Sequence, residues 1–267
     1  MIEFSELRNA VKARSPLIHS ITNPISINQC ANAVLAIGGR PIMAEHPKEV
    51  SEITASANAL LLNLGNITDV RMKSMRLSFK QASKNNIPVI LDVVGIACSS
   101  LRRKFVSRLL KISTPTVIKG NYSEIQALYN RQYRCLGVDA DLSLKESDIE
   151  VLCIALAKKL NTIVLASGKT DIVTNGKRIV YIHNGSKQLT TVTGTGCMLG
   201  ALCATYLSSG HYMDAVVTAC VTLCISGEIS ATESGSGSFM ANLMNSLSTL
   251  SNEVIVNSIN MEEKSLE

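Results

Sequence analysis

Ala59-Leu-Leu-Leu-Asn-Leu-Gly65 is a continuous apolar run carrying one asparagine and stopped by glycine. Without polar alternation, neither face of such a strand is meant for water. That is the pattern of a parallel strand buried on both sides. Pro88-Val-Ile-Leu-Asp-Val-Val-Gly95 repeats the pattern, ending in Asp92 and then Gly95. Residues 69–85 between them are amphipathic at helical spacing. Strand, helix, strand is the unit of an α/β sheet.

The same alternation extends outward. Toward the N-terminus lie a helix, Phe4–Arg14, ended by Ser15-Pro16, and an extended piece at 17–24. A helix at 25–37 places Asn28 and Asn32 four apart on one face, where they either bind a polar ligand or cap backbone. Gly38-Gly39 stops it. A short strand at 41–44 follows, and residues 46–49 open another helix. Toward the C-terminus come a helix at 101–112, a strand at 115–119, the turn Gly120-Asn121 and a helix, Tyr122–Tyr129. A polar connector at 131–143 precedes a helix at 145–160. The strand at 162–166 then ends in Ser167-Gly168. Asn175-Gly176 marks a hairpin, and residues 177–191 read as polar and strand-like. Helices are expected near 198–208, 213–232 and 237–250, then a weakly patterned tail. The reading is one α/β domain over 1–267, a mostly parallel central sheet with right-handed crossovers and helices on both faces.

Composition excludes several classes. Hydrophobic residues make up 46% of the 267 residues and charged ones 18%, which suits a globular enzyme-sized core. Aromatics are 4%, with no Trp, too few for a single-strand nucleic-acid platform. The net charge of +5 is mild, and Arg102-Arg103-Lys104 reads as a solvated helix face, so no nucleic-acid partner is expected. The 8 cysteines form no C-x-x-C pair and no zinc set, and read as small buried hydrophobes. The first residues lack an apolar signal region, and no apolar run spans a bilayer without polar interruption. The expectation is a soluble protein of a reducing cytoplasm, with no membrane partner.

Thr191-Val-Thr-Gly-Thr-Gly-Cys-Met-Leu-Gly200 carries the chemistry. Glycines allow a tight turn and close approach to a ligand. A helix starting there would aim unpaired N–H groups and its positive dipole end at an anion. The stretch is either a plain helix cap or a phosphate cradle. Four strand ends decide for phosphate: Asn63, Asp92, Lys119 and Ser167 each stand with or near a glycine at the carboxyl edge, where α/β sheets bind ligands. Phosphoryl transfer from ATP to an alcohol needs backbone donors, carboxylates for Mg²⁺, a cation on the phosphates and a base. Residues 193–196 supply the donors, Asp92 and Glu124 the carboxylates, Lys119 the cation. Cys197 is the titratable group of the cradle. No P-loop is present.

Over residues 15–250 the chain resembles the hydroxyethylthiazole kinases of the ribokinase-like fold. The resemblance rests on His19-Ser-Ile-Thr-Asn-Pro-Ile-Ser-Ile-Asn-Gln-Cys-Ala-Asn32, Leu35-Ala-Ile-Gly-Gly-Arg-Pro-Ile-Met-Ala44 and Leu61-Leu-Asn-Leu-Gly65. Lys119-Gly-Asn-Tyr-Ser-Glu-Ile125 and Val192-Thr-Gly-Thr-Gly-Cys-Met-Leu-Gly200 complete it. It implies ATP-dependent phosphorylation of 4-methyl-5-(2-hydroxyethyl)thiazole in thiamine salvage. By resemblance, Met43 and Gly194 contact the thiazole alcohol and Asn23 and Asn28 line its pocket. Lys119 and Ser167 contact ATP, Asp92 and Glu124 organise Mg²⁺, and Cys197 is the catalytic base. A homotrimer with thiazole sites at subunit contacts is also implied.

Three positions depart from the family pattern. Val93 stands where the family has Pro, Lys119 where it has Arg, and Ser167 where it has Thr. Lys keeps the charge without the bidentate fork. Two other readings follow. One is a different small-alcohol kinase of the same fold, of the hydroxymethylpyrimidine kinase type, against which Cys197 and Ile21-Thr-Asn23 speak. The other is a non-catalytic thiazole- or nucleotide-binding protein, supported by the three departures.

Overall fold

The computed structural model describes residues 2–130, 132–135 and 144–266, so the connector expected at 131–143 lies mostly outside the described residues. Helix α1 (Phe4–Arg14) leads to β1 (Leu17–Ile21), α2 (Ile27–Ala36), β2 (Arg40–Ile42) and α3 (Val50–Ser56). Next come β3 (Ala59–Asn63), α4 (Asp69–Lys84), β4 (Val89–Asp92), α5 (Ser100–Leu109), β5 (Val117–Asn121) and α6 (Tyr122–Tyr129). Then follow α7 (Glu146–Leu160), β6 (Ile163–Ser167), β7 (Asp171–Thr174) and β8 (Arg178–Ile182). The chain closes with α8 (Thr195–Leu207), α9 (Tyr212–Ile229), α10 (Ser236–Thr249), α11 (Asn252–Ser258) and β9 (Met261–Ser265).

Among the described residues the strands form one 9-stranded sheet, ordered β2-β1-β3-β4-β5-β6-β7-β8-β9. Pairings from β2 to β6 are parallel and those from β6 to β9 antiparallel. Each buried strand splits its side chains between two cores, as period-two geometry requires. Leu61, Ile90, Val117 and Leu165 enter the core under α2, α8, α9 and α10. Leu60, Leu62, Leu91 and Ile118 enter the core under α4 and α5. Asn63 and Asp92, which end β3 and β4, and Lys119, inside β5, follow the first parity, as Ser167 does at the end of β6; the turn expected at Gly120-Asn121 is strand. All four therefore belong to the face that α8 covers.

Local chemistry sets the ends. Thr68 and Ser99 accept the backbone N–H of Arg71 and Arg102 at 3.2 and 3.3 Å, capping α4 and α5. Asn175-Gly176 turns β7 into β8 as expected, with Gly176 at φ 85°. Helix α9 is long and apolar enough to cross a membrane by length and composition, but 78% of its window is buried inside the fold. Its neighbours there are α8, α10 and the β7–β8 hairpin.

Four expectations need correction. The strand-like stretch 177–191 ends at Ile182, and Lys187–Thr190 is a 3₁₀ turn. The cause is Glu228 of α9, which accepts from Asn184 Nδ2 at 3.2 Å and from Gly185 N at 2.7 Å and draws the chain off the sheet. The tail is not patternless: α11 packs on α9, and β9 pairs antiparallel with β8. As an edge strand it exposes its charged residues, which hid it from hydrophobic periodicity. Arg102 and Arg103 are half-buried, not a plain solvated face. They donate to the carbonyls of Val94 and Ile96 at 3.0 and 2.7 Å and hold the loop after β4. Of the cysteines, Cys98 is exposed and Cys135 and Cys197 are half-buried, while the other five are buried.

Candidate active site

Strand register builds the centre of the site. Asn63 pairs with Asp92, and Asp92 with Lys119, so three polar side chains stand side by side at the carboxyl edge. Lys119 Nζ donates to Asp92 Oδ2 at 2.9 Å, and Asn63 Nδ2 donates to the same oxygen at 3.2 Å. The N–H of Val94 holds Asp92 Oδ1 at 3.2 Å. Lys119 and Asp92 are 5% and 1% exposed at their side chains, so the ion pair is stripped of water. Burial works against the lysine charge, but the adjacent carboxylate outweighs it and the ammonium pKa is raised.

Helix α8 lies directly above. Gly194 opens it at φ 92°, a conformation that favours glycine, and no side chain caps its N-terminus. A Cβ on Gly194 would stand 3.0 Å from Ser26 Cβ. A Cβ on Gly196 would stand 3.7 Å from Lys119 Nζ, and one on Gly200 would meet Leu61 Cδ1 at 3.2 Å and Asp92 Oδ2 at 3.5 Å. The glycine spacing thus lets the first turns of α8 settle onto the Asp92–Lys119 pair. The open N–H groups and the helix dipole then face the same space as the lysine, an arrangement suited to a phosphate.

Cys197 sits in the first turn of α8, half-buried. Asn23, just past β1, donates from Nδ2 to Cys197 Sγ at 3.3 Å and to Asn63 Oδ1 at 3.4 Å. Ser26 N and Ser26 Oγ both donate to Asn23 Oδ1, at 3.0 and 3.1 Å. Asn23, Cys197, Gly194, Asp92 and Lys119 therefore converge.

Glu124 borders this group. Its Oε1 accepts from Gly95 N and its Oε2 from Asn121 N, each at 2.7 Å, and Asn121 Oδ1 accepts from Glu124 N at 2.9 Å. This is a complete capping box on α6. Burial, then the charge of Asp92, push the Glu124 pKa up to about 7. Among the described residues no three His, Cys, Asp or Glu side chains converge as a metal cluster. Both oxygens of Asp92 and of Glu124 already accept protein donors. The pair supplies oxygen donors of the kind Mg²⁺ takes, without an all-protein cage among the described residues.

The remaining expected residues lie farther out. Ser167 is registered with Asn121, two residues beyond the rung of Lys119, and its Oγ donates to Gly120 O at 3.5 Å. Met43 is half-buried just past β2 and packs on the core beneath α2 and α8. Asn28 is exposed on α2 and accepts from Asn32 Nδ2 at 2.9 Å. Sequence reasoning gave no role to Asn63 beyond its strand-end position. It missed Asp171, whose Oδ1 accepts from Gly168 N at 3.0 Å and fixes the turn after Ser167. Burial pushes the Asp171 pKa up to about 6. An acidic residue opening a buried strand just after Ser167-Gly168 was the available signal.

Comparison with known proteins places this geometry. Residues 8–253 match the sequence model of the hydroxyethylthiazole kinase family. A curated relative from Clostridium botulinum (strain Langeland / NCTC 10281 / Type F), hydroxyethylthiazole kinase 2, is 43% identical over 260 residues, covering 95% of this chain and 98% of the relative. A solved structure of a hydroxyethylthiazole kinase protein from Pyrococcus horikoshii OT3 superposes with TM-score 0.91 at 31% identity, over 99% of this chain and 100% of that one. A ribokinase-like superfamily protein from Enterococcus faecalis V583 shares the fold at TM-score 0.61 and 12% identity, over 92% of this chain and 94% of that one. The chain belongs to the hydroxyethylthiazole kinase family.

Proposed function

We propose that the chain transfers the γ-phosphoryl group of ATP to the hydroxyl of 4-methyl-5-(2-hydroxyethyl)thiazole, in thiamine salvage. The observation that carries this reading is the uncapped glycine turn of α8, set over Lys119 and holding Cys197 at its first turn. Backbone N–H groups at 194–197 receive the phosphoryl oxygens, and the Lys119 ammonium lies below them. The alcohol enters between Gly194 and Asn23, beside Met43. Cys197 Sγ, which already accepts a hydrogen bond from Asn23, takes the hydroxyl proton as the new P–O bond forms. Ser167 meets the nucleotide farther along the edge. Asp92 and Glu124 would hold Mg²⁺, which would supply neutralisation of charge on the phosphates.

The reading extends to assembly and place. Residues 1–267 act as one domain, supported by the single sheet that reaches from β2 to β9. Ile25 and Leu35, at 60% and 55% exposure, flank Asn28 along the outer side of the α2 segment. That apolar surface supports a homotrimer whose contacts complete the thiazole pocket with Asn28, and light scattering tests it. The chain works in the cytoplasm on small molecules, without nucleic-acid or membrane partners.

A coupled assay of ADP release separates the readings. Purified protein with MgATP is given the thiazole alcohol, the corresponding pyrimidine alcohol, or no acceptor. Release only with the thiazole alcohol is expected. Release only with the pyrimidine alcohol would assign a different kinase, and thiazole binding without release would assign a non-catalytic protein.

A further inference from the structure

Asn63 is fully buried, and each half of its carboxamide is committed. Gly65 N donates to Oδ1 at 2.8 Å. A backbone N–H can only donate, so this bond fixes which end of the amide is oxygen. The NH₂ end must then face Asp92 Oδ2, where it lies at 3.2 Å. Asn23 is locked by the same logic. Ser26 N donates to its Oδ1 at 3.0 Å, which turns its NH₂ toward Cys197 Sγ and Asn63 Oδ1. The result is one directed chain. Asn23 donates to the sulfur and to Asn63, Asn63 donates to Asp92, and Lys119 donates to the same carboxylate oxygen.

We propose that Asn63 is a positioning residue for phosphoryl transfer, fixing the Asp92–Lys119 pair that faces the phosphates against the Asn23–Cys197 pair that faces the alcohol. The inference rests on the kinase reading of this site. Asn63 lies on the sheet face under α8, and its side chain bonds Asn23 and Asp92. No rotation of Asn63 is compatible with its backbone donor, so the spacing between the proton acceptor and the phosphate cation is built into β3. Gly65 takes part for a steric reason: a Cβ there would stand 2.7 Å from Asn23 Nδ2 and 2.9 Å from Asn63 Oδ1.

The test compares wild type with N63L, N63D, C197S and the N63L/C197S pair, using MgATP and the thiazole alcohol. N63L is expected to lower kcat about tenfold while both KM values stay within about threefold, the signature of a group acting in the transition state. Asn63 and Cys197 are each bonded to Asn23 Nδ2 and not to each other, yet the double variant is expected to lose no more than about twofold beyond C197S, because both act through Asn23. A merely structural role would make the two losses multiply, and that result overturns the inference. N63D keeps the acceptor half and with it the bond to Gly65, so it decides the matter if N63L fails to fold. It sets a second carboxylate against Asp92, and is expected to lower kcat about tenfold and to weaken ATP binding about fivefold as it competes for Lys119. A kcat for N63D within about twofold of wild type overturns the inference while leaving the kinase reading intact. ATP affinity is read by calorimetry and needs no turnover. If wild type binds ATP but phosphorylates no alcohol, the kinase reading fails on its own. In that case the role in phosphoryl transfer fails with it, and N63D reports only whether Asn63 positions the Asp92–Lys119 pair toward ATP: weakened binding supports that part and unchanged binding overturns it.

Discussion

Two helices point their N-termini at the same edge of the sheet, and the sequence treats them in opposite ways. Helix α6 is sealed. Asn121 and Glu124 exchange bonds of 2.9 and 2.7 Å in a capping box, and the other Glu124 oxygen goes to Gly95 N. Helix α8 is left open, with a glycine at φ 92° in the cap position and no side chain on its first N–H groups. A cap is worth about 1 kcal/mol to a helix end. Declining it at α8 costs stability and leaves donors free for a ligand. The contrast separates a terminus closed by its own side chains from one left open, which the proposed function assigns to phosphate.

Blocking the open terminus should have the largest effect. Gly194→Val meets Ser26 and forces a β-branched residue into left-handed backbone. It is expected to lower kcat/KM for the thiazole alcohol by about a thousandfold, comparable to removing an oxyanion-type donor. Steady-state kinetics on folded protein checks this. Changing the side chain beside the open turn should cost less, because phosphoryl transfer has a loose transition state. Cys197→Ser is expected to lower kcat by roughly ten- to a hundredfold with little change in the KM for ATP. Cys197→Asp should keep or raise activity. Wild-type turnover in both Cys197→Ser and Cys197→Ala would leave Cys197 as a packing residue only.

Much of this contrast was legible beforehand. Gly194, Gly196 and Cys197 stood out because glycines ahead of an apolar helix have few other uses. Asn63, Asp92 and Lys119 stood out because each interrupts an apolar strand at its exit. Their mutual contacts were not legible, since register between strands is set by the crossover helices and not by any strand alone. Ser167 shows the limit: it ends its strand like the others, yet pairs two residues beyond Lys119. Asn28 shares a helix face with Asn32 as expected, Asn32 donating to it at 2.9 Å, but it is exposed while Asn23 is buried. The closing strand β9 was invisible because its packing is to an edge and its side chains are charged.

Opening the sealed terminus should show up in stability first. Asn121→Ala removes the cap on α6, and is expected to cost about 1 kcal/mol, lowering Tm by about 2–4 °C. A scan of thermal unfolding checks this, and an unchanged Tm would remove the capping box from the account.

The smallest expected effect concerns pH. Glu124 has a folded-state pKa of about 7, above its unfolded value, owing first to burial and then to Asp92. Its proton is bound more tightly when folded, so its contribution to stability is full below the unfolded pKa and is lost as pH rises through about 7. Asp171, at about 6, adds in the same direction. Without metal or nucleotide, Tm should therefore fall between about pH 4.5 and 7.5, and Glu124→Gln should flatten that fall. An equal slope in the variant would show that Glu124 does not titrate in this range.

The open terminus is tested most directly by identifying what leaves it. Phosphorus NMR of wild type with MgATP and the thiazole alcohol should show a new phosphate monoester growing in step with ADP, and Gly194→Val should show almost none. ATP consumed to inorganic phosphate with no ester, or ester formed equally well by Gly194→Val, would contradict the assignment of the α8 turn as the phosphoryl cradle.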